Sequence, residues 1–366
     1  MKTGKVAVMS GPNRPFEVRE YPLLPVPEGM ARMKLLASGV CGTDLHIMRG
    51  KLAVGFPACI GHEFIGKVED IHEADSAKYG INVGDNVIVD IAVPCGECIL
   101  CKEGNDANCV NMGVTNGGRP EVAPHFYGGF SDYNYTSVKN LVKLPEELDP
   151  LMVGVFACPG PTAIHAVRLG IKAGLDPAGV NVAVVQGAGP VGCFATAYLA
   201  ALGIKEILVI CGGANDRRSL LAKQLGATEL LDFTAQSMDD IVKYVQSKNG
   251  GLGADLVFEA SGNPKAVPQG MDMLRNRGMY LVPGQYSQSG GIEIQPQMIT
   301  FKALSIIGSS QYSMVDVHEY VKFLSEHTEL HNPIKGLASC YKVEDINKAF
   351  EDAGAGKNIK TVIVPE

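Results

Sequence analysis

The sequence predicts an α/β protein in which a β-rich part shares one chain with a doubly wound parallel sheet. Three observations carry that expectation. Four cysteines crowd one short loop, the texture of the chain changes near residue 160, and a glycine-rich turn joins an apolar strand to a helical run.

Up to about residue 160, short β-rich runs lie between Gly/Pro turns, at Ala31–Ala37, Gly66–Ile71 and Asp85–Ile91. The cysteine loop follows the last of them. Cys95, Cys98, Cys101 and Cys109 are spaced C-x2-C-x2-C-x7-C within the lobe 94–110. Four thiolates on one loop close a tetrahedral shell around one zinc ion and leave no position for water. The lobe therefore reads as a structural zinc site. Disulfides are the bland alternative, disfavoured in a chain expected to be cytosolic. An iron–sulfur cluster is the sharper rival, but ferredoxin-type runs use a shorter last spacing followed by proline. Here Val110 follows Cys109.

Beyond residue 160, apolar strands alternate with longer helical patterns, which predicts βαβ units and a parallel sheet. Asn181–Val185 reads as a buried strand, Gly187-Ala-Gly-Pro-Val-Gly192 as the turn, Cys193–Leu202 as a helix and Glu206–Ile210 as the next strand. A lone G-x-G-x-x-G is weak evidence. Between a strand and a helix it allows a tight turn, close approach to a pyrophosphate and close helix packing. Gly187, Gly189, Pro190, Val191 and Gly192 are therefore candidate nucleotide contacts, with the helix N-terminus facing the phosphates. Later strands are expected at Asp255–Phe258, Gly278–Val282 and Leu304–Ile307.

Composition bounds the function. The 366 residues suit about two domains. The net charge is −7 and no Lys/Arg cluster stands out, which argues against a nucleic-acid partner. No apolar run approaches the roughly 18 residues of a membrane span. The N-terminus reads as a strand rather than a signal peptide, so a cytoplasmic location is expected.

Cys41, His62 and Cys158 form a second possible ligand set. Three protein ligands and one open position suit a catalytic zinc. Each residue has a bland reading by itself, since a buried cysteine is usually a small core hydrophobe.

Taken together, the motifs resemble the zinc-dependent medium-chain alcohol dehydrogenases, near the polyol and sorbitol dehydrogenase branch. The resemblance spans Gly39-Val-Cys-Gly-Thr-Asp-Leu-His46, Gly61-His-Glu63, the four-cysteine lobe, Gly128-Gly-Phe-Ser-Asp-Tyr133, Ala163-Ile-His-Ala166, the glycine turn and Gly356-Lys-Asn-Ile-Lys-Thr361. It implies a GroES-like catalytic domain over 1–160, a Rossmann NAD(P)-binding domain over 161–312, and a return segment, 313–366, that completes the first. The active site is expected between the two domains.

The resemblance also implies residue roles. Cys41, His62 and Cys158 would hold a catalytic zinc, making two zinc ions per chain. Polyol dehydrogenases often carry Glu where this chain has Cys158. Glu63 would approach or tune the metal, Asp44 would orient the His62 ring, Thr43 would bond the alcohol oxygen, and His46 would relay its proton to solvent. Lys360 resembles a contact to the cofactor pyrophosphate. The implied reaction is hydride transfer between an alcohol and NAD or NADP, on a secondary alcohol, polyol, sugar or amino alcohol. A homodimer or homotetramer is implied by resemblance alone.

NAD enzymes of this fold usually carry an acid about 20 residues beyond the glycine turn. Here the counts fall on Cys211 or Gly213, and Asp216 comes late. Without that acid, Arg217 or Arg218 would pair with a 2′-phosphate, and Asn215 would bond either form. The pattern tilts toward NADP, with NAD and dual use open. Two other classes stay in view: an iron–sulfur redox protein, and a non-catalytic nucleotide-binding zinc protein. The segment Gly113–Tyr127 reads either as a wall of the substrate cleft or as a solvated loop.

Overall fold

The computed structural model describes residues 2–287 and 289–365. The chain divides into two compact units, Met1–Cys158 with Gln311–Glu366, and Pro159–Ser310.

The first unit is built on a seven-stranded sheet. Its central strand, Met30–Gly39, pairs antiparallel with Glu63–Ile71 on one side and with the C-terminal strand Lys360–Ile363 on the other. That last pairing brings the end of the chain back into the first unit. Along Met30–Gly39 the side chains alternate: Ala31, Met33, Leu35 and Ala37 are fully buried, whereas Lys34 is exposed. This period of two is what a half-buried strand requires. The apolar face joins Phe64, Val68, Val87, Phe130, Ile346 and Phe350 in one core.

The short helix Gly42–Met48 follows the central strand directly. Asp44, at its third position, accepts a hydrogen bond from the Cys41 backbone N–H at 2.9 Å. The orphan donor at the helix start is thereby satisfied. Gly39 ends the strand for a steric reason: a Cβ there would lie 1.8 Å from Glu63 Oε2.

The second unit holds a six-stranded parallel sheet in the order Glu229–Asp232, Glu206–Cys211, Val182–Gln186, Ala254–Glu259, Leu274–Val282, Ser305–Gly308. Numbered along the chain, the order is 3-2-1-4-5-6, the doubly wound arrangement with its switch point beside the first strand. Val182–Val185 are all buried, as expected for a strand covered on both faces.

The helix after the glycine turn starts at Pro190, not at Cys193 as the sequence pattern suggests. Proline lacks the N–H that a first helical position leaves unpaired, and its fixed φ suits that position. Gly189 is the N-cap.

The segment Gly113–Tyr127 is packed onto the N-terminal hairpin rather than free. His125 stacks on Tyr21 with ring centroids 4.7 Å apart, Glu121 pairs with Arg19 at 3.1 Å, and Phe126 is fully buried. Among the described residues, no helix is long and apolar enough to cross a membrane.

Candidate functional site

Two groups of ligand-type side chains converge in the first unit. In each, the ligand atoms lie within 4.8 Å of one another.

The first group is Cys95, Cys98, Cys101 and Cys109. The Sγ–Sγ separations are 3.5 Å for Cys98–Cys101, 3.9 Å for Cys98–Cys109 and 4.0 Å for Cys95–Cys101. A tetrahedron of thiolates about 2.3 Å from a central zinc has edges of about 3.8 Å. The measured edges bracket that value and are far from the roughly 2.05 Å of a disulfide. Backbone N–H groups of Cys98 and Asn111 point at Cys95 Sγ and Cys109 Sγ, at 3.4 and 3.3 Å. Such donors stabilise negative sulfur. Backbone donors of Cys101 and Val110 bring the Cys98 thiol down to about 6, while desolvation and the neighbouring Cys98 push Cys101 up to about 12. Without a cation the four sulfurs cannot all ionise. With one, all four can.

The second group is Cys41, His62, Glu63 and Cys158. Cys41 caps the helix Gly42–Met48, His62 and Glu63 lead into the strand Glu63–Ile71, and Cys158 follows the helix Pro150–Val155. His62 is 5% exposed and Glu63 1%. His62 Nδ1 lies 3.4 Å from Asp44 Oδ1, an ionic contact longer than a well-formed hydrogen bond. Burial works against a charged His62 ring, but the Asp44 and Cys41 charges outweigh it and raise its pKa well above the usual value. A hydrogen bond from Cys158 holds the Cys41 thiol well below its ordinary range, against burial, and pushes Cys158 up. The donor set of two sulfurs and one imidazole suits zinc, which requires both thiols deprotonated.

Glu63 faces two ways. It belongs to the ligand cluster and also forms an ion pair with Lys360, whose side chain is 2% exposed. Burial pushes the Glu63 carboxyl up to about 7, against the pull of Lys360. The pyrophosphate contact implied for Lys360 by resemblance is thus accompanied by a partner the sequence did not suggest.

Thr43 Oγ1 lies 3.7 Å from Cys41 Sγ, at the edge of the same cluster. His46 is one helical turn further on and half-buried, and its Nδ1 is buried without a partner. Desolvation, then Lys51 and Arg49, hold its pKa below the usual value, so the ring is neutral near pH 7.

In the second unit, Gly187 has φ +106°, and a Cβ on Gly192 would meet the Gly187 carbonyl oxygen at 1.9 Å. A Cβ on Gly189 would meet nothing within 4 Å, so this N-cap faces open space. The next strand ends at Cys211, and the loop to Asp216 carries Gly213 and Asn215. Asp216 caps the helix Arg217–Gln224 by accepting from the Arg218 N–H at 2.7 Å. Asn215 and Arg217 are exposed and Arg218 is half-buried.

Sequence reasoning missed Asp232. From the end of the adjoining strand, its carboxylate accepts the N–H groups of Gly213 at 2.9 Å and Ala214 at 2.7 Å. Thr234 adds its N–H and hydroxyl, and these donors, led by the hydroxyl, hold the Asp232 carboxyl far below the usual range. The available signal was an acid closing the third strand two residues before a threonine.

Comparison with known proteins agrees with both halves of the chain. The alcohol dehydrogenase GroES-like domain matches residues 27–146, and the zinc-binding dehydrogenase domain matches residues 190–326. D-xylulose reductase A of Aspergillus niger is 31% identical, over 95% of this chain and 92% of its own length. The L-idonate 5-dehydrogenase (NAD(P)(+)) of Escherichia coli K12 is 30% identical over 88% of each chain. The crystal structure of an alcohol dehydrogenase from Thermotoga maritima superposes over the whole of both chains with a TM-score of 0.89, at 26% identity. The chain therefore belongs to the zinc-binding alcohol dehydrogenase family, as an oxidoreductase that interconverts alcohols and carbonyl compounds with a nicotinamide cofactor.

Proposed function

We propose that turnover takes place at Cys41, His62 and Cys158, with the nucleotide held at the 187–192 turn and NADP preferred over NAD. The observation that carries this reading is the convergence of two thiols and one buried imidazole beside a hydroxyl, Thr43, on a helix that also bears His46. A zinc ion held there supplies Lewis acidity, which lowers the pKa of an alcohol hydroxyl or polarises a carbonyl. The nicotinamide ring supplies the hydride acceptor.

The chain's own residues do the rest. A divalent cation held there would displace the His62 proton, and the Cys41 and Cys158 thiolates would balance its charge. Asp44 fixes the orientation of the His62 ring, as outer partners of metal-binding histidines commonly do. The Thr43 hydroxyl accepts the proton leaving the alcohol and passes on its own. His46, neutral near pH 7, takes that proton toward solvent. Glu63 and Lys360 form a buried pair that keeps compensating charge beside the cluster.

The relay has a pH signature. The pKa of His46 is depressed, so the free base is available at and somewhat below neutrality. His46→Gln is expected to slow alcohol oxidation most at the acid end of the profile, by up to about 10²-fold. The loss shrinks at alkaline pH, where solvent hydroxide takes the proton. Thr43→Ala is expected to be worse at every pH. A His46→Gln profile parallel to that of the wild type would remove His46 from the relay.

Three observations support the cofactor preference. Cys211 and Gly213 leave no carboxylate at the end of the second strand, Asp216 is committed to its helix cap, and the Asp232 carboxylate is occupied by backbone donors. No carboxylate is left free there to accept a ribose 2′-hydroxyl, and Arg217 is exposed to receive a 2′-phosphate. A panel of secondary alcohols, polyols, sugars and amino alcohols, followed by nicotinamide absorbance with both cofactors, tests the whole reading. Turnover is expected with a higher kcat/KM for NADP. A tenfold advantage for NAD, about 1.4 kcal/mol, reverses the preference. No turnover with any alcohol by zinc-replete protein would overturn the activity itself.

A further inference from the structure

The first, fourth and fifth strands of the parallel sheet end side by side. Val182–Gln186, Ala254–Glu259 and Leu274–Val282 run parallel, and Gln186 stands opposite Glu259 in the register. The strand order reverses between the first and the fourth, so their carboxyl ends open onto the crevice where a dinucleotide lies. Three loops leave these ends with their backbones almost touching. A Cβ on Gly187 would lie 3.2 Å from the Ser261 nitrogen, and one on Gly262 would lie 2.7 Å from the Gln285 carbonyl oxygen. A Cβ on Gly284 would lie 1.8 Å from Glu259 Oε2.

Glu259 stands where the loops meet, and it is fully buried. Its Oε1 accepts the N–H groups of Ser261 at 2.7 Å and Gly262 at 3.1 Å, together with the Ser261 hydroxyl. Its Oε2 accepts the Tyr286 hydroxyl at 2.8 Å. An ionised carboxylate only accepts, and four donors on two oxygens suit it. The bonds to Ser261 and Gly262 are local and knot one loop. The bond from Tyr286 crosses 27 residues and ties the loop after the fifth strand to that knot. Burial, then the Glu259 charge, raises the Tyr286 phenol above its usual range, so it keeps donating at alkaline pH. Ser261 and Gln285 are exposed, so the tied loops present their outer faces to solvent.

The topology assigns these loops to one half of the cofactor. The glycine turn after the first strand takes the pyrophosphate, and the acid that bonds the adenosine ribose in such folds follows the second strand. The adenosine half therefore lies over strands one to three. The nicotinamide half falls to strands four to six, where Glu259 and Tyr286 stand.

We propose that Glu259 and Tyr286 are positioning residues for the nicotinamide half of the cofactor. Their hydrogen bond latches loop 284–286 against loop 261–262 and preorganises that wall of the crevice. Neither side chain has to touch the cofactor. Without the bond the loop divides its time among other positions, and the apparent affinity falls by the fraction of molecules that stay latched. The inference rests on the nucleotide lying at the 187–192 turn, and on neither the zinc ligands nor the NADP preference.

Tyr286→Phe loses one hydroxyl and keeps the ring, so the fold is expected to persist. Binding of NADH and NADPH to the zinc-replete protein is followed by nicotinamide fluorescence. Binding of ADP-ribose and 2′-phospho-ADP-ribose, which lack the nicotinamide, is followed by calorimetry. Tyr286→Phe is expected to raise the Kd of NADH and NADPH about threefold to tenfold, the range of one hydrogen bond, and to leave both nicotinamide-free ligands at wild-type affinity. Unchanged NADH and NADPH affinity overturns the latch. Equal weakening of the nicotinamide-free ligands also overturns it, because the bond would then serve the whole domain. Gly189→Val tests the premise separately, since its side chain would project into the open space at the glycine turn. It is expected to weaken all four ligands. Wild-type binding of all four by Gly189→Val removes the nucleotide from the turn and takes the latch with it. None of these measurements needs turnover, so they read the latch even if no alcohol proves to be a substrate.

Discussion

Cys41→Ser and His62→Ala are each expected to abolish turnover, with kcat down by more than about 10³-fold. Loss of a mere outer partner of a metal-bound histidine costs about 10–100-fold, and these changes remove a donor from a set of three. Each variant is expected to lose one zinc per chain by elemental analysis and to keep its nucleotide affinity, since the glycine turn belongs to the other compact unit. Melting temperature is expected to move by only a few degrees. Asp44 keeps the Cys41 N–H as a donor when the His62 ring is gone, so His62→Ala does not orphan the buried carboxylate completely. A Cys41→Ser enzyme that retains a tenth of wild-type kcat would remove Cys41 from the ligand set.

Cys98→Ser is expected to act on stability first. The four sulfurs Cys95, Cys98, Cys101 and Cys109 sit at the spacing of one tetrahedral ion. The lobe around them has little apolar core of its own: Ile99 is 64% exposed and Val110 69%. Metal binding must therefore supply much of the energy that orders it. Structural zinc contributes about 10–16 kcal/mol of apparent binding energy in isolated zinc peptides. Loss of even a third of that here, at about 2–4 °C per kcal/mol, lowers the melting temperature by on the order of 10 °C or more. Wild-type protein is expected to hold two zinc ions per chain, and Cys98→Ser one. Unchanged stability in Cys98→Ser, together with unfolding of Cys41→Ser, would exchange the two roles.

Much of both sites was legible because their signals are local. The cysteine lobe lies on one short loop, so its spacing alone restricts the geometry. The turn Gly187–Gly192 is equally local. Its outer glycines are needed because the helix packs back on the turn, which is visible as the clash a Cβ on Gly192 would make with the Gly187 carbonyl. The start of the following helix was misjudged by three residues, since proline reads as a breaker until its place at the first helical position is known.

Other features come from residues distant in sequence. Nothing near Lys360 in the chain hints that it pairs with Glu63. The pair exists because Lys360–Ile363 docks antiparallel on Met30–Gly39, which also pairs with Glu63–Ile71. Gly39 is small at the point where those three strands meet, and its open side admits both charged side chains. Asp232 likewise reaches Gly213 and Ala214 only through the parallel pairing of Glu229–Asp232 with Glu206–Cys211.

The sequence by itself determined the fold class, the four-sulfur lobe, the candidate ligands Cys41, His62 and Cys158, and the nucleotide turn. The fold class, the lobe and the turn follow from periodicity and short spacing, whereas the three ligands rest on the resemblance of their motifs to a known family. Tertiary structure decided which charges meet and which acid is already occupied by backbone donors. Those properties depend on strand register and long-range packing, where a shift of one residue turns a side chain to the opposite face of the sheet.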